Sequence, residues 1–280
     1  MINKLIKSYI NDEQPFRIDS KTSFVRRRTL FEELELFKEI FFPQYWNRGV
    51  IITHKDLLET KIASLKERII QGIRPHVNDL EIESLTNKFL ETIPHTRELL
   101  KKDVEAAYNG DPAAKDYAEI IRSYPGFQAI MIQRVAHVLY NLNIPSYPRE
   151  LMEEIHSLTG IDIHPGADIG EYFFIDHGTG VVIGESTKIG DHVRIYQGVT
   201  LGALHFEKDD DGLLKKDYKR HPHIGDHVII GMGAKILGPI KIGNQVNIGA
   251  NSWVQESIPD KTTVYISEHP KLVRKQNGGV

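Results

Sequence analysis

Aliphatic residues recur at every sixth position through the second half of this chain, and glycine often follows them. The spaced residues are Ile163, Ile169, Ile175 and Val181, then, after a slip of two positions, Ile183, Ile189, Ile195 and Leu201, and finally Ile224, Ile230, Ile236, Ile242, Ile248 and Val254. Neither an α-helix nor an ordinary strand produces a sustained period of six. A hexapeptide repeat does, and it predicts a parallel β-helix in which each unit forms one flat side of a triangular coil.

The repeat also predicts how residues stack between coils. Three units make one coil of about 18 residues, so a residue should lie roughly 4.8 Å from its partner one coil later. The aliphatic residue of each unit points into the prism, and a following small residue lets the chain turn the corner.

The first half of the chain follows a different pattern, with apolar residues spaced at three and four. This spacing predicts helices over 26–42, 54–73, 80–93, 96–110 and 126–142. The expected fold is α+β: a helical N-terminal domain over 1–158, a left-handed parallel β-helix over 159–265 and a tail over 266–280. Because an uncovered first coil would expose unpaired strand edges, the helices are expected to cap the prism.

Residues 203–222 break the repeat. They contain the turn signal DDDG among charged residues and cannot form hexapeptide sides. We expect a protruding loop, because its last residues, Lys219-Arg220-His221-Pro222, return to the prism wall. Loops on a rigid scaffold often carry function, although a plain surface excursion is also common.

Composition excludes several classes of function. The formal net charge of -3 argues against a nucleic-acid partner, and the absence of cysteine excludes disulfides and thiolate catalysis. No segment has the apolar length of a signal peptide or a membrane span. We therefore expect a cytoplasmic protein that binds neither nucleic acid nor membrane.

One histidine within the repeat is a candidate general base. His177 follows the inward-pointing Ile175 by two positions and precedes Gly178. Adding one coil to Asp162 gives position 180, so a hydrogen bond between Asp162 and His177 is feasible. A carboxylate on one ring nitrogen raises the basicity of the other nitrogen. On spacing alone, His177 is more often a wall histidine that bonds to backbone.

Other polar residues have both a functional and a structural interpretation. Arg220 and His221 suit a carboxylate ligand, or form a solvated loop end. Asp176 could bind an ammonium group or a backbone N–H. Asp111 precedes Pro112 and has the pattern of a helix N-cap, which needs no further function.

Several motifs together are far more specific than the repeat. The chain resembles the serine O-acetyltransferase family of the hexapeptide acyltransferase superfamily over about 105–265. The motifs are GDPAAKDY (110–117), GIDIHPGADIGEYFFIDHGTGVVIGE (160–185), GVTLGA (198–203), KRHPHIGDHVIIGMGAKILG (219–238) and IGANSWV (248–254).

The resemblance implies transfer of an acetyl group from acetyl-CoA directly to the hydroxyl of L-serine, with no acyl-enzyme and no metal. Each candidate residue then takes a role. His177 would be the general base with Asp162 as its partner, Asp111 and Asp176 would hold the substrate amino group, and Arg220 and His221 would hold its carboxylate.

The resemblance also implies partners. Backbone groups near Ala203, Met232 and Ala250 would line the pantetheine arm of acetyl-CoA, and Lys235 suits its phosphates. Met232 replaces the family's usual alanine. Members form trimers with active sites between prisms, and pairing of trimers through the helices stays open. Many members bind O-acetylserine sulfhydrylase through a tail ending in isoleucine, whereas this chain ends in RKQNGGV, which puts that partner in doubt.

Three alternatives stay open on the sequence. The acceptor could be another small hydroxyl compound, although a neutral sugar would leave the charged residues without partners. A metal-dependent β-helix of the γ-carbonic-anhydrase type could draw on His177, His205, His221 and His223, although their spacing does not form a clear ligand set. A non-catalytic scaffold predicts damaged site residues, and none is damaged here.

Overall fold

The computed structural model describes residues 2–11, 27–46 and 54–267. The helices within these ranges are α1 (Ile2–Asn11), α2 (Arg27–Phe41), α3 (Pro43–Trp46), α4 (Lys55–Ile73), α5 (Asp79–Glu91), α6 (Ile93–Gly110), α7 (Tyr117–Ser123), α8 (Pro125–Asn141) and α9 (Tyr147–Thr159). Residues 268–280 of the expected tail lie outside the described residues. No helix in the described part combines the length and apolar character needed to cross a bilayer.

The predicted helices are present because their apolar faces meet in one core. Helix α8 is buried on most of its circumference, because apolar residues occur around much of the helix. It packs against α9 along its length and also contacts the first coil. Helix α9 ends at Thr159, and the left-handed backbone of the next residue, Gly160 (φ 70°), stops the helix before the first strand begins at Asp162.

The second half is the predicted parallel β-helix. Its strands are β1 (Asp162–Ile163), β2 (Asp168–Ile169), β3 (Phe174–Asp176), β4 (Val182–Ile183), β5 (Lys188–Ile189), β6 (Arg194–Tyr196), β7 (Thr200–Gly202), β8 (His223–Ile224), β9 (Ile229–Ile230), β10 (Lys235–Leu237), β11 (Lys241–Ile242), β12 (Asn247–Ile248), β13 (Trp253–Val254) and β14 (Thr263–Val264).

These strands form the three flat faces of the prism. Face 1 has the order β1-β4-β7-β10-β13, face 2 is β2-β5-β8-β11, and face 3 is β3-β6-β9-β12-β14. All pairings within the faces are parallel. The repeated aliphatic residues are buried inside, which confirms the expected hexapeptide fold, and such repeats fit a left-handed coil.

The first coil is longer than the repeat predicts. Asp162 pairs with Val182, not with residue 180, so the register advances by 20 residues here and by 18 between Val182 and Thr200. The two extra residues correspond to the slip between Val181 and Ile183. They lie in the corner that contains His177, so the prediction that Asp162 stacks on position 180 is wrong.

The loop interrupts the register as expected. Lys188 pairs with His223, so the coil after β7 resumes only after the excursion. Within the loop, Lys208 and Leu214 form an antiparallel bridge, and the Asp209 carboxylate accepts the backbone N–H of Leu213. The excursion is therefore a short turn-closed hairpin that projects from the prism.

The helices cap the first coil through buried polar side chains. Arg134 on α8 forms a bidentate ion pair with Asp103 on α6. The Nε–Oδ2 distance is 2.6 Å and the Nη2–Oδ1 distance is 2.8 Å. Arg134 also donates to the carbonyls of Ile169 and Gly170, and Asp103 accepts the N–H of Phe173. Coil backbone groups thereby gain partners that no preceding coil could supply.

Breaking this buried pair should be costly. In Arg134→Met the Asp103 carboxylate stays buried without its cation, so we expect a loss of about 3–5 kcal/mol in unfolding free energy. Urea denaturation measures the change. The Asp103→Leu/Arg134→Met double variant should recover only part of the loss, because no charge is left unpaired but the backbone groups of Ile169, Gly170 and Phe173 lose their partners. Lys55→Met is the control, because its ion pair with Glu59 is exposed and should be worth less than about 1 kcal/mol. A loss in Arg134→Met no larger than in the control would contradict this account.

A second buried acid makes stability depend on pH. Glu33 on α2 is fully enclosed and accepts a hydrogen bond from the Tyr147 hydroxyl. Burial raises the pKa of Glu33 to about 7, against the opposing effects of Tyr147 and Arg68. The folded chain therefore keeps this proton at pH values where the unfolded chain has lost it.

We expect Glu33→Gln to weaken the pH dependence of stability. Stability of the parent should fall as pH rises from about 4.5 to 7, by ~3 kcal/mol, because ionised Glu33 is buried without a cation in contact. Glutamine cannot ionise. Urea midpoints at pH 5 and pH 8 should therefore differ less in Glu33→Gln than in the parent or in the exposed control Glu59→Gln. Equal differences in all three proteins would disprove the assignment.

Candidate active site

His177 lies at the corner between faces 3 and 1, immediately after β3. Its backbone is left-handed (φ 59°), and its side chain is 73% exposed. The next residue must be glycine, because Gly178 has φ 86° and an added Cβ would lie 2.4 Å from Ile161 Cδ1. The tight corner therefore presents the imidazole outward, with Nε2 at 3.8 Å from Oδ1 of Asp176.

Asp176 is held on its other oxygen. Arg194 on the adjacent strand donates from Nη2 to Oδ2 of Asp176 at 3.1 Å. Asp176 is only 8% exposed, so a buried carboxylate with one free oxygen faces the imidazole of His177.

Asp111 joins this group from the helical half. The Tyr124 hydroxyl donates to Oδ2 at 2.5 Å, and the N–H of Ala113 donates to Oδ1 at 2.8 Å. Chiefly through the Tyr124 bond, helped by Ala113 and the charges of Arg194 and His177, the pKa of Asp111 is lowered. Asp111 is therefore an ionised carboxylate at neutral pH.

The N-cap interpretation of Asp111 is wrong. Asp111 is the residue that ends α6, and its carboxylate closes a short turn onto Ala113. The next helix begins at Tyr117, where the Asp116 side chain accepts the N–H of Glu119. Asp111 therefore does not cap the next helix, and its carboxylate is available to a ligand.

These residues form one carboxylate cluster, which consists of Asp111, Tyr124, Asp176, His177 and Arg194. Two carboxylates beside one guanidinium leave a negative balance, which suits a ligand with a single ammonium group. The exposed imidazole beside them can accept a proton from a ligand hydroxyl.

A second group lies at the opposite edge of face 1. This guanidinium cluster consists of Glu185, Ser186, Arg220 and His221. Arg220 donates to Oε2 of Glu185, and Ser186 accepts the N–H groups of Arg220 and His221. Burial opposes the ionisation of Glu185, but Arg220 outweighs it and lowers the pKa of this carboxyl.

The contacts of His221 determine its tautomer. The backbone N–H of Ser186 donates to Nδ1 at 3.1 Å, so Nδ1 is unprotonated and Nε2 carries the hydrogen. Burial, with the charge of Arg220, lowers the pKa of His221 to about 4. The ring packs on Gly184, where an added Cβ would lie 2.1 Å from Nε2. His221 is therefore a neutral donor at physiological pH.

The structure does not join Asp162 to His177. Oδ1 of Asp162 lies 3.2 Å from Nη2 of Arg149, which also pairs with Glu153 on α9. No bond between Asp162 and His177 occurs among the described residues. The longer first coil shifts Asp162 out of the expected position, and Arg149 supplies it with a cation.

The two clusters are also separate within one chain. His177 precedes β4, whereas Glu185 follows it. The charges that act on the pKa of Asp111 are those of Arg194 and His177. The charges that act on the pKa of His221 include those of Arg220 and Glu185. Of the predicted substrate-binding residues, one protomer thus gathers the two aspartates at one edge and the Arg220–His221 pair at the other.

The residues predicted to line a thioester arm are divided in the same way. Met232 is exposed at the corner that His177 occupies two coils earlier, and Asn251 donates its N–H to the Met232 carbonyl. Ala250 precedes Asn251 at that corner. Ala203 follows β7 at the other edge, and Lys235 on β10 donates from Nζ to the Gly198 carbonyl.

The histidines considered for a metal site do not come together. Within the described residues, the group able to offer three ligand atoms within 4.8 Å of one another is Glu153, His156 and Asp162. It contains none of the proposed histidines. Arg149 already pairs with two of its members.

Sequence reasoning missed Tyr124, Glu185, Ser186 and Arg194. The signal for Arg194 is the coil register, because the strand pairing puts Arg194 beside Phe174, two residues before Asp176. The extra length of the first coil hid that pairing. Tyr124 gave no signal, since its contact with Asp111 depends on how the helices pack.

The tautomer of His221 gives a testable titration. We expect its ring to titrate near pH 4 in an NMR experiment. In Ser186→Ala the Oγ contact to Nδ1, at 2.9 Å, is lost, so the neutral form loses support and the pKa should rise. Ser257→Ala is the control, because its hydroxyl bonds only the distant N–H of Lys241. A midpoint for His221 near 6.5 in the parent would refute the assignment.

Family models match both halves of the chain. The model described as serine acetyltransferase, N-terminal, matches residues 39–132. The model described as bacterial transferase hexapeptide (six repeats) matches residues 221–255.

Relatives of similar sequence have the same family description as these models. The chain is 52% identical over 185 residues to a serine acetyltransferase, plasmid, of Synechococcus elongatus, which covers 66% of this chain and 58% of that relative. It is 48% identical over 179 residues to a serine acetyltransferase of Staphylococcus aureus, which covers 64% of this chain and 79% of that relative.

Solved structures extend the similarity to nearly the whole chain. Serine acetyltransferase isoform 3 of Entamoeba histolytica, in complex with cysteine, is 45% identical with a TM-score of 0.80 and covers 98% of this chain and 94% of its own. Neisseria gonorrhoeae serine acetyltransferase in complex with serine is 26% identical with a TM-score of 0.58, covering 90% and 100%. The chain belongs to the serine acetyltransferase family of hexapeptide-repeat acyltransferases.

Proposed function

We propose that this chain transfers the acetyl group of acetyl-CoA to the hydroxyl of L-serine, forming O-acetyl-L-serine and CoA. The observation that supports this most is the carboxylate cluster. It sets two aspartates beside an exposed imidazole, so a ligand whose ammonium binds the aspartates has its hydroxyl near a base. Solved relatives bound to serine and cysteine have ligands with such an ammonium and a carboxylate.

His177 is the proposed general base. It takes the hydroxyl proton as the serine oxygen attacks the thioester carbonyl, so a C–O bond forms. The tetrahedral intermediate then collapses and its C–S bond breaks. The imidazolium returns the proton to the CoA thiolate, and no acyl-enzyme forms. A positioned base is worth about 10²–10⁴-fold, and alignment of two bound substrates adds to this.

Asp111 and Asp176 are proposed to hold the substrate ammonium. Asp111 is ionised because Tyr124 and the N–H of Ala113 stabilise its charge. A neutral sugar hydroxyl would leave both carboxylates without a partner, which favours an amino acid over that acceptor. Competition between L-serine and other hydroxyl acceptors in a thiol-release assay tests this preference.

Arg220 and His221 are proposed to hold the substrate carboxylate, and they would come from a neighbouring protomer. In one chain they lie across β4 from His177, so a serine held by Asp111 and Asp176 needs a second prism to supply them. A trimer with sites between prisms meets this requirement. Pairing of such trimers through the helical half remains an expectation from the resemblance.

Asp162 is proposed to orient His177 in the same assembled site. In one chain its carboxylate is paired with Arg149, at the edge of the helical half. We propose that the contact with the imidazole forms only between neighbouring prisms, where Asp162 of one would face His177 of the other.

Acetyl-CoA is proposed to lie along the groove between prisms. Met232 and Ala250 would contact the pantetheine arm on one wall, and Ala203 would contact it on the other. Lys235 is proposed to contribute positive charge for the phosphates, after release from the Gly198 carbonyl.

Replacing the base should abolish turnover without disturbing the fold. We expect His177→Ala to lower kcat by about 10²–10⁴-fold in an acetyl-CoA consumption assay with L-serine. The exposed His227, whose ring stacks on His192 at a different corner, provides the matched control His227→Ala. Near-parent turnover by His177→Ala, with the control also active, would rule out the proposed role.

A further inference from the structure

We propose that Arg194 and Tyr124 are positioning residues that determine how the substrate ammonium is held, Arg194 by fixing Asp176 and Tyr124 by fixing Asp111. This inference rests on the proposed function and deepens it. Neither residue was assigned a role by the motifs that carry the family resemblance.

Arg194 is itself held on several sides. Its guanidinium carbon lies 5.3 Å from the ring of Phe174 and 4.7 Å from the ring of Tyr196. The end of α6 closes over it, because an added Cβ at Gly110 would lie 3.7 Å from Nη1 of Arg194. A guanidinium clamped between two aromatic rings loses little further freedom when it binds a carboxylate.

This clamped cation selects one oxygen of Asp176. Nη2 of Arg194 takes Oδ2, so the unoccupied Oδ1 is the oxygen that faces His177, at 3.8 Å from Nε2. An ammonium bound to Oδ1 must therefore lie beside the imidazole. Because the hydroxyl of serine is two bonds from the carbon that bears its ammonium, this choice of oxygen brings the hydroxyl near the base.

Arg194 also sets the charge of the cluster. Asp111 and Asp176 carry two negative charges, and Arg194 cancels one of them. The remaining charge matches one ammonium group. Without Arg194, the two carboxylates would repel each other and Asp176 could turn its oxygens freely, which would disperse the ammonium over several positions.

Tyr124 performs the corresponding task for Asp111 without adding charge. Burial and the neighbouring carboxylate of Asp111 raise the pKa of Tyr124, so the hydroxyl stays protonated and donates. Tyr124 is the N-cap residue of α8, and two residues later Gly126 packs so closely on the coil that an added Cβ would lie 2.1 Å from the Ile175 carbonyl. The hydroxyl therefore holds Asp111 from a rigid part of the cap.

A purely structural role for Arg194 makes a different prediction. If Arg194 only joined β6 to β3, its loss would loosen the corner and weaken binding of both substrates. A positioning role concerns the ammonium alone. It therefore predicts a change in the KM for L-serine while the KM for acetyl-CoA stays unchanged.

The experiment compares Arg194→Met, Arg194→Lys and Tyr124→Phe with the parent. We expect the KM for L-serine to rise about 10–100-fold in Arg194→Met, since a hydrogen bond to a charged group is lost. Arg194→Lys should recover part of this loss through its charge, and Tyr124→Phe should raise the same KM by roughly 3–10-fold. The KM for acetyl-CoA should stay within about twofold of the parent value throughout.

Lys188→Met is the matched control. Lys188 is an outward cation on face 2 whose carboxylate partner, Asp168, lies 4.0 Å away outside both clusters, so neither KM should change. Binding of L-serine by calorimetry in the His177→Ala background gives a second reading without turnover. In that background, Arg194→Met should weaken the affinity for L-serine by the same factor by which it raises the KM.

Parallel rises in both KM values, no rise for L-serine, or unchanged calorimetric affinity would each overturn the proposal for Arg194. An unchanged KM for L-serine in Tyr124→Phe would overturn it for Tyr124. Failure of the parent to acetylate L-serine is a different result, because it refutes the proposed function before any variant is compared.

Discussion

The backbone of a first coil has hydrogen-bonding groups with no preceding coil to receive them, and covering this open end is the constraint on which the rest of the structure depends. The buried pair of Asp103 and Arg134 supplies hydrogen bonds to three of these groups, the carbonyls of Ile169 and Gly170 and the N–H of Phe173. Such a pair is unfavourable to bury by itself, because two ions lose their hydration. The backbone contacts offset that cost and explain why the pair lies at the boundary between the halves.

The same cap builds half of the candidate site. Helix α6 ends where an added Cβ at Gly110 would lie 2.8 Å from the ring of Phe174, and α8 begins where Gly126 touches the carbonyl of Ile175. These two close approaches bring Asp111 and Tyr124 over the strand that carries Asp176. Capping of the first coil and assembly of the carboxylate cluster are therefore two results of one packing arrangement, and a side chain added at either glycine would disturb both.

The sequence predicted the features of the fold that depend on the spacing of residues close together in the chain. The period of six specified the inward aliphatic residues, such as Ile175 and Ile230, and the charged interruption specified the loop. The period of six did not predict which residues lie beside each other in neighbouring coils, because two added residues at the His177 corner change the register. The partner of Asp162 was equally hidden, since Arg149 reaches it from the last helix of the cap. Contacts between halves depend on packing, which no spacing rule encodes.

The division of the candidate site follows from the geometry of a prism. Each corner is built from consecutive residues, so a corner can gather a base and the carboxylate beside it, as His177 and Asp176 show. The next corner lies beyond a whole strand, and Arg220 with His221 lies there. The proposed zwitterionic substrate would need both corners at once, and a flat face holds them apart. Packing a second prism against the first would bring opposite corners together without bending either, and the proposed site between prisms depends on this arrangement.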